Sequence, residues 1–398
     1  MRITHARTLI VLLVMIVVLP LLAACGGNAS GEGTTSTASS STASQTTQTQ
    51  SPAASDSPAT STNWKPRNLR ANLTGSGSTF VDPAMQLWIE QYKKLAPGVA
   101  INYQAVGSGQ GIKDFTGDIT AFAGSDAYMT DEQMRQAPDA IHLPVVVGAV
   151  TVFYNLPGIT NLRFSGTTIA DIFLGKVTKW NDPEIAHDNP GVKLPGTAIT
   201  PVHRSDGSGT TAIFTDYLSK VSSAWKSKVG EGTSVSWPTG IGGEKSPGVT
   251  SAVQQTPGAI GYVELIYALQ NKLPTPAVEN AAGKFVVPSL QTSSSAAAAY
   301  LGSLPPDLRI FITDPKTGND AYPITGFSWL ILRSQMKNKT DAEALSDFVY
   351  WIITQGQRYS QQLQYAPIPS SIQQLEIKAL ERITVDGQPV FSAPSPAS

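Results

Sequence analysis

Cysteine is all but missing from this sequence: the chain has 398 residues and a single thiol, Cys25. A disulfide within the chain needs two cysteines and a thiolate zinc site needs several, so neither holds this fold together. Histidine is nearly as scarce. Outside the N-terminal segment only His142, His187 and His203 remain, and no pair has the i, i+4 spacing of a helical metal site. Charge is sparse as well, with 14% of residues charged and 28 basic against 29 acidic side chains for a formal net charge of −1. Such a surface carries no polybasic footprint, which argues against nucleic acid as a partner. A small anion is a different matter, since its site needs one arginine and a few aimed N–H groups. Long apolar runs are also lacking: residues 9–22 are apolar, but a spanning helix needs about 20 such residues and here Gly26-Gly27 and polar sequence follow at once.

What the N-terminus does contain is a secretory signal over residues 1–24. Arg2 and Arg7 precede the apolar run, and Leu22-Ala23-Ala24-Cys25 closes it with small residues. Leu-Ala-Ala-Cys resembles the lipobox of bacterial lipoproteins, which implies a lipid on Cys25 anchoring the mature chain to the outer face of the cell membrane, where two acyl chains hold durably. The other reading is a plain signal peptide with an incidental cysteine. Residues 25–63 are almost wholly Ser, Thr, Ala, Gln and Gly, with Glu32 and Asp56 the only charges, so they read as a tether without a core of its own. Residues 389–398, rich in Ser, Pro and Ala, read as a flexible tail.

Between these limits short β-like runs alternate with helical patterns, the signature of an α/β architecture. Asp82 as N-cap and Pro83 at the first helical position open a helix whose apolar residues Val81, Met85, Trp88, Tyr92 and Leu95 recur every three or four positions. Val99, Ile101, Tyr103 and Ala105 alternate as in a half-buried strand, and a short strand at 121–123 ends in Gly124-Ser125-Asp126. Thr130 with Gln133 forms a capping-box pattern. The Val-rich run 143–155 suits a buried strand crossing between two lobes. A helix at 168–174, strands at 199–203 and 258–264 and a long strand at 322–333 follow. Thr340 with Glu343 marks a further helix start, and a last helix covers 370–380.

Three Gly/Ser/Thr-rich turns lie between a strand and a helix: Gly75 to Phe80, Gly107 to Gly111, and Arg204 to Thr210. Glycine admits close backbone approach, helix N-terminal amides carry partial positive charge, and hydroxyls add donors, a combination suited to an oxyanion. Any one turn alone also reads as an ordinary N-capped loop. None fits a nucleotide motif: 107–113 lacks Walker spacing, and Phe80 stands where a dinucleotide fingerprint has its last glycine. Ser208, in Asp206-Gly207-Ser208-Gly209-Thr210, fails the nucleophile-elbow spacing, and His203 reads as the end of a strand before it reads as a base. Arg204 sits two residues before Asp206, a spacing for a local ion pair that would either orient the guanidinium for an oxyanion or simply staple the turn. Asp126 by itself reads as an N-cap or turn residue.

Taken together, these motifs resemble the phosphate-binding subunits of phosphate ABC importers, the PstS family. The resemblance is collinear through Gly75 to Phe80, Asn102 to Gly109, Gly124-Ser125-Asp126-Ala127, Leu174-Gly175-Lys176, Lys179-Trp180, Arg204 to Thr210 and Gly258 to Glu264. It implies a two-lobed periplasmic-binding-protein fold of the type II kind, with a mixed sheet in each lobe and two hinge crossovers. Lobe one would hold 64–145 and 322–388 and lobe two 146–321, with crossings near 144–150 and 321–326. It implies a ligand shell of Thr79, Phe80, Ser108 and Asp126 from lobe one and Arg204, Ser208, Gly209 and Thr210 from lobe two, with Phe80 and Gly209 acting through their N–H groups and Asp206 holding Arg204. It further implies inorganic phosphate as ligand, a membrane permease and ATPase as partners, and no enzyme activity, metal or cofactor. Asp126 then becomes an acceptor for the proton that phosphate carries and sulfate lacks. Receptors for sulfate or molybdate, and a surface phosphatase using Ser208, are the rival readings. The pattern departs from the family at Val81 and at Phe122 to Asp126, and the resemblance thins over 274–320.

Overall fold

A 15-residue strand in which every residue is buried organises the molecule, here described from a computed structural model over residues 64–394. The signal, Cys25 and the tether, expected over 1–63, lie outside the described residues, as do 395–398. The strands of the main sheet are β1 (Ala71–Gly77), β2 (Val99–Ala105), β3 (Phe122–Ser125), β4 (Ala140–Tyr154), β5 (Thr200–Arg204), β6 (Ile241–Gly243), β7 (Ala259–Glu264) and β8 (Thr325–Arg333). Their order is β2-β1-β3-β8-β4-β7-β5-β6. β1, β2 and β3 run parallel, joined by helices as parallel strands require. β5, β6 and β7 form a second parallel group.

β4 belongs to both groups. Its residues 140–149 pair antiparallel with β8, and its residues 150–154 pair antiparallel with β7. β4 therefore changes partner between Ala149 and Val150. Beside it runs the return crossing, where Val150 N–H donates to the Ile324 carbonyl at 2.8 Å and the Tyr322 hydroxyl donates to the Val150 carbonyl at 3.2 Å. The two mixed sheets are thus one continuous sheet through the hinge. A largely apolar strand suits such double coverage, since neither face meets water, and its polar members are bonded: His142 Nε2 accepts the Met129 N–H and the Thr151 hydroxyl donates to the Val152 carbonyl.

Several local expectations need correcting. Helix Asp82–Leu95 has Val81, not Asp82, at its N-cap, and the hydroxyl or carboxylate cap is absent there; Asp82 and Pro83 occupy the first helical positions. Helix Lys339–Trp351 starts earlier than Thr340, because the Asn338 side chain accepts the Asp341 N–H and so caps it. The tail is tethered through its first residues: Val390 and Phe391 are buried, and the Arg67 guanidinium, bridged to Asp347, donates to the Val390 carbonyl at 2.7 Å. Residues 290–313 do not belong to lobe two alone. Leu308 and Ile312 pack with Val147, Phe327 and Trp329, the Trp329 indole donates to the Leu308 carbonyl at 3.0 Å, and Arg309 reaches the Met129 carbonyl at 2.9 Å and Asp131. On the other side Lys220 of helix Gly209–Val221 donates to the Thr313 hydroxyl at 2.8 Å, so this segment braces both lobes. No described helix is long and apolar enough to cross a membrane.

One buried group works against stability. Glu376, in helix Ser370–Leu380, is fully buried and neither carboxylate oxygen has a partner among the described residues. Burial pushes its carboxyl well above the ordinary range. The folded pKa exceeds the unfolded one, so the penalty is absent below the unfolded value and grows as pH rises above it. Glu376→Met is expected to stabilise the fold at neutral pH by about 1–3 kcal/mol, the cost of an unsatisfied buried polar group. Urea denaturation at acid and at neutral pH checks this: the gain should shrink at acid pH, and a loss of stability at neutral pH would refute it.

Candidate functional site

The three turns picked out by composition follow the C-terminal ends of β1, β2 and β5, and Asp126 follows β3, which is where open α/β sheets place ligands. Gly107, at φ 91°, caps helix Ser108–Thr116 and so points its first amides into the cleft. Ser208 caps helix Gly209–Val221, its hydroxyl accepting the Thr211 N–H at 3.1 Å. The first turn of each helix has N–H groups with no partner inside the helix, an arrangement that favours an anion.

The lobes are closed on one another at these turns. Gly109 N–H donates to the Gly207 carbonyl at 2.9 Å across the cleft. A Cβ on Gly209 would stand 2.6 Å from the Ser108 hydroxyl oxygen and 2.7 Å from the Asp126 nitrogen, and one on Gly107 would stand 2.4 Å from an Asp206 carboxylate oxygen. No side chain fits at either position, which is why the motif is glycine there. Ser108 and Asp126 from lobe one and Gly209 from lobe two, named from the sequence, therefore meet at one point. Thr79 is linked to Arg204 through Ser246: the two hydroxyl oxygens lie 2.7 Å apart, and Ser246 Oγ is 3.5 Å from Arg204 Nη1.

Two charged groups face this point, in different states. Arg204 is 5% exposed and forks onto Asp206, with Nε to Oδ1 at 2.7 Å and Nη2 to Oδ2 at 2.5 Å. Burial works to raise the Asp206 pKa, but the Arg204 guanidinium and the Lys245 N–H outweigh it and hold the carboxyl below the usual range. Asp126 is 1% exposed, and burial pushes it up to about 6 against the opposing pull of Ser78, Ser328, Arg204 and Ser108. The Ser78 hydroxyl lies 2.7 Å from both carboxylate oxygens, Ser328 donates to Oδ1 at 2.7 Å, and Ser108 to Oδ2 at 3.3 Å. A carboxylate has about four acceptor positions, so three hydroxyl donors leave one for a ligand.

Phe80 has its ring buried, its carbonyl accepts from the Tyr365 hydroxyl at 2.5 Å, and its N–H goes to Ser78 Oγ at 3.0 Å. The Thr210 hydroxyl is buried without a partner among the described residues, a donor left for something else. His203 stacks on Trp237 with ring centroids 4.7 Å apart and its Nδ1 lies 3.1 Å from the Arg204 carbonyl oxygen, while Ser208 is engaged as a helix cap. Two partners of Asp126 escaped the sequence reading. Ser78 stands inside the first turn, whereas Ser328 carries no local signal.

Residues 33–355 match the family model of the PBP superfamily domain. The phosphate-binding protein PstS of Xylella fastidiosa (strain 9a5c) is 44% identical over 302 residues, covering 75% of this chain and 82% of that protein. This chain belongs to the PstS family. Its reach within the family is wide: the phosphate-binding protein PstS of Methanocaldococcus jannaschii is 38% identical over 348 residues, covering 81% of this chain and 88% of that protein. Solved structures agree on the PstS fold at lower identity. A high affinity periplasmic phosphate-binding protein bound with phosphate superposes at a TM-score of 0.61 with 20% identity, covering 77% of this chain and 93% of its own. A phosphate ABC transporter substrate-binding protein from Clostridium perfringens gives 0.55 with 18% identity, over 75% and 99% of the two chains.

Proposed function

We propose that this chain is an extracytoplasmic substrate-binding protein that captures inorganic phosphate between its lobes and delivers it to the permease and ATPase of an ABC importer, anchored to the cell membrane by lipid on Cys25. The observation that carries the ligand is the pairing of Arg204 with a buried acid, Asp126, on opposite sides of one closed cleft. Arg204 supplies full positive charge, the first turns of helices Ser108–Thr116 and Gly209–Val221 supply aimed amides, that of Ser108 among them, and Thr79, Ser208 and Thr210 supply hydroxyls. An acid in such a site repels any anion that has no proton to give it. Phosphate at neutral pH retains one, and donating it to Asp126 turns repulsion into a hydrogen bond. The names of the family relatives support the same ligand. Gly209 acts through its N–H; the Phe80 N–H would be shared with Ser78 Oγ. The role is binding and transfer, with no covalent step.

Calorimetric titration with phosphate and then sulfate tests the reading. Tight phosphate binding and sulfate binding weaker by several powers of ten are expected, as for a site built around one hydrogen bond that the competitor cannot make. Comparable affinities would replace phosphate by tetrahedral oxyanions in general, and release of phosphate from an ester would replace binding by catalysis.

A further inference from the structure

Thr79 is gripped from the opposite lobe by residues that belong to none of the three anion turns. The Tyr267 hydroxyl donates to the Thr79 carbonyl at 2.6 Å. Ser246 Oγ lies 2.7 Å from Thr79 Oγ1, and the Ser246 N–H donates to the same oxygen at 3.3 Å. Three hydrogen bonds thus cross from lobe two to a single residue of lobe one. Ser246 is fully buried and Thr79 is 3% exposed, so these bonds sit where water does not compete.

Both donors are held in place. Tyr267 lies on helix Leu265–Gln270, which directly continues β7 and is capped by the buried Glu264 side chain through the Ile266 N–H at 3.1 Å. Ser246 opens helix Lys245–Gln255 just after Lys245, a non-glycine residue held at φ 61°. A left-handed residue of that kind persists only where its surroundings impose it. Here the Lys245 N–H donates to Asp206 Oδ1 at 2.9 Å, and that same carboxylate clamps Arg204. The ion pair at the anion site therefore also sets where Ser246 stands.

We infer that Ser246 and Tyr267 form a closure latch on Thr79, protein-to-protein bonds made only when the lobes are shut, which set how fast the anion leaves rather than which anion is held. The inference rests on the phosphate reading for its ligand and on the hinge for its motion. Opening must break the latch before the anion escapes, whereas capture begins from the open form, where the latch contributes nothing. Every oxyanion needs the same closure, so discrimination among them is untouched.

Ser246→Ala and Tyr267→Phe each delete one hydroxyl. Chasing radiolabelled phosphate from the loaded full chain with excess unlabelled phosphate is expected to show release faster by roughly three- to tenfold for each variant, and by about the product for the pair, as one lost net hydrogen bond implies. Association rate and the phosphate-to-sulfate affinity ratio should stay at wild-type values. Unchanged release would overturn the latch. A changed ratio would overturn it too, by making these hydroxyls direct ligand contacts. If the wild-type chain retained no phosphate at all, the functional reading would fall and the latch with it, whereas retained phosphate with unchanged release from the variants would overturn the latch alone.

Discussion

Arg204→Ala is expected to weaken phosphate and sulfate alike by at least about a hundredfold, because a hydrogen bond to a charged group is worth about 1.5–3 kcal/mol and a guanidinium makes more than one. The loss is larger than the missing contacts alone. Arg204 neutralises Asp206, whose side chain is 17% exposed, and without it a carboxylate is left beside the incoming anion. It also loosens the Lys245 N–H contact through which Asp206 sets the start of helix Lys245–Gln255. The double variant Arg204→Ala with Asp206→Asn should therefore recover part of the affinity by removing the repulsion. Calorimetry of the two variants measures both effects. Wild-type affinity in the single variant would mean that the anion does not sit against lobe two as placed here.

How much of this was legible in advance follows the range of each interaction. Helix Asp82–Leu95 and the capping box at Thr130 are written in neighbouring residues and were read from them. β4 was legible because a strand covered on both faces is apolar over most of its length, whichever partners it finds. The three glycine turns could be picked out singly, but nothing local shows that Gly209 comes within a Cβ of Asp126; that is a property of the hinge. The tail misled for the same reason in reverse. Its Ser/Pro/Ala composition predicts fraying, yet Arg67, more than 300 positions earlier, takes the Val390 carbonyl. Ser328 is the clearest loss: a serine in an apolar strand reads as a neutral core residue, and only the antiparallel pairing of β8 with β3 brings it to a carboxylate 202 positions away.

That carboxylate carries the second large effect. At a pH above about 6 Asp126 is ionised, with three hydroxyl donors on it and one acceptor position left. On the proposed reading phosphate would fill the position with its own proton, whereas sulfate would leave it empty against a like charge. As pH falls through about 6 Asp126 gains a proton and becomes a donor, so the penalty on sulfate fades. Burial raises this pKa, and the sign follows directly: sulfate binds the protonated form, so its affinity should rise as pH falls and level off below the pKa. Asp126→Asn mimics the neutral form at every pH. It is expected to tighten sulfate roughly a hundredfold or more relative to phosphate at neutral pH, the scale on which an unsatisfied buried polar group discriminates. Its sulfate affinity should be flat from about pH 5 to about pH 8, because sulfate remains a dianion and the substituted side-chain amide does not titrate. Calorimetry with sulfate across that range, on the wild type and the variant, separates the two curves. A flat wild-type curve, or a variant that still rejects sulfate, would show that the proton on phosphate is recognised elsewhere and that Asp126 serves only to tie Ser78, Ser108 and Ser328 together.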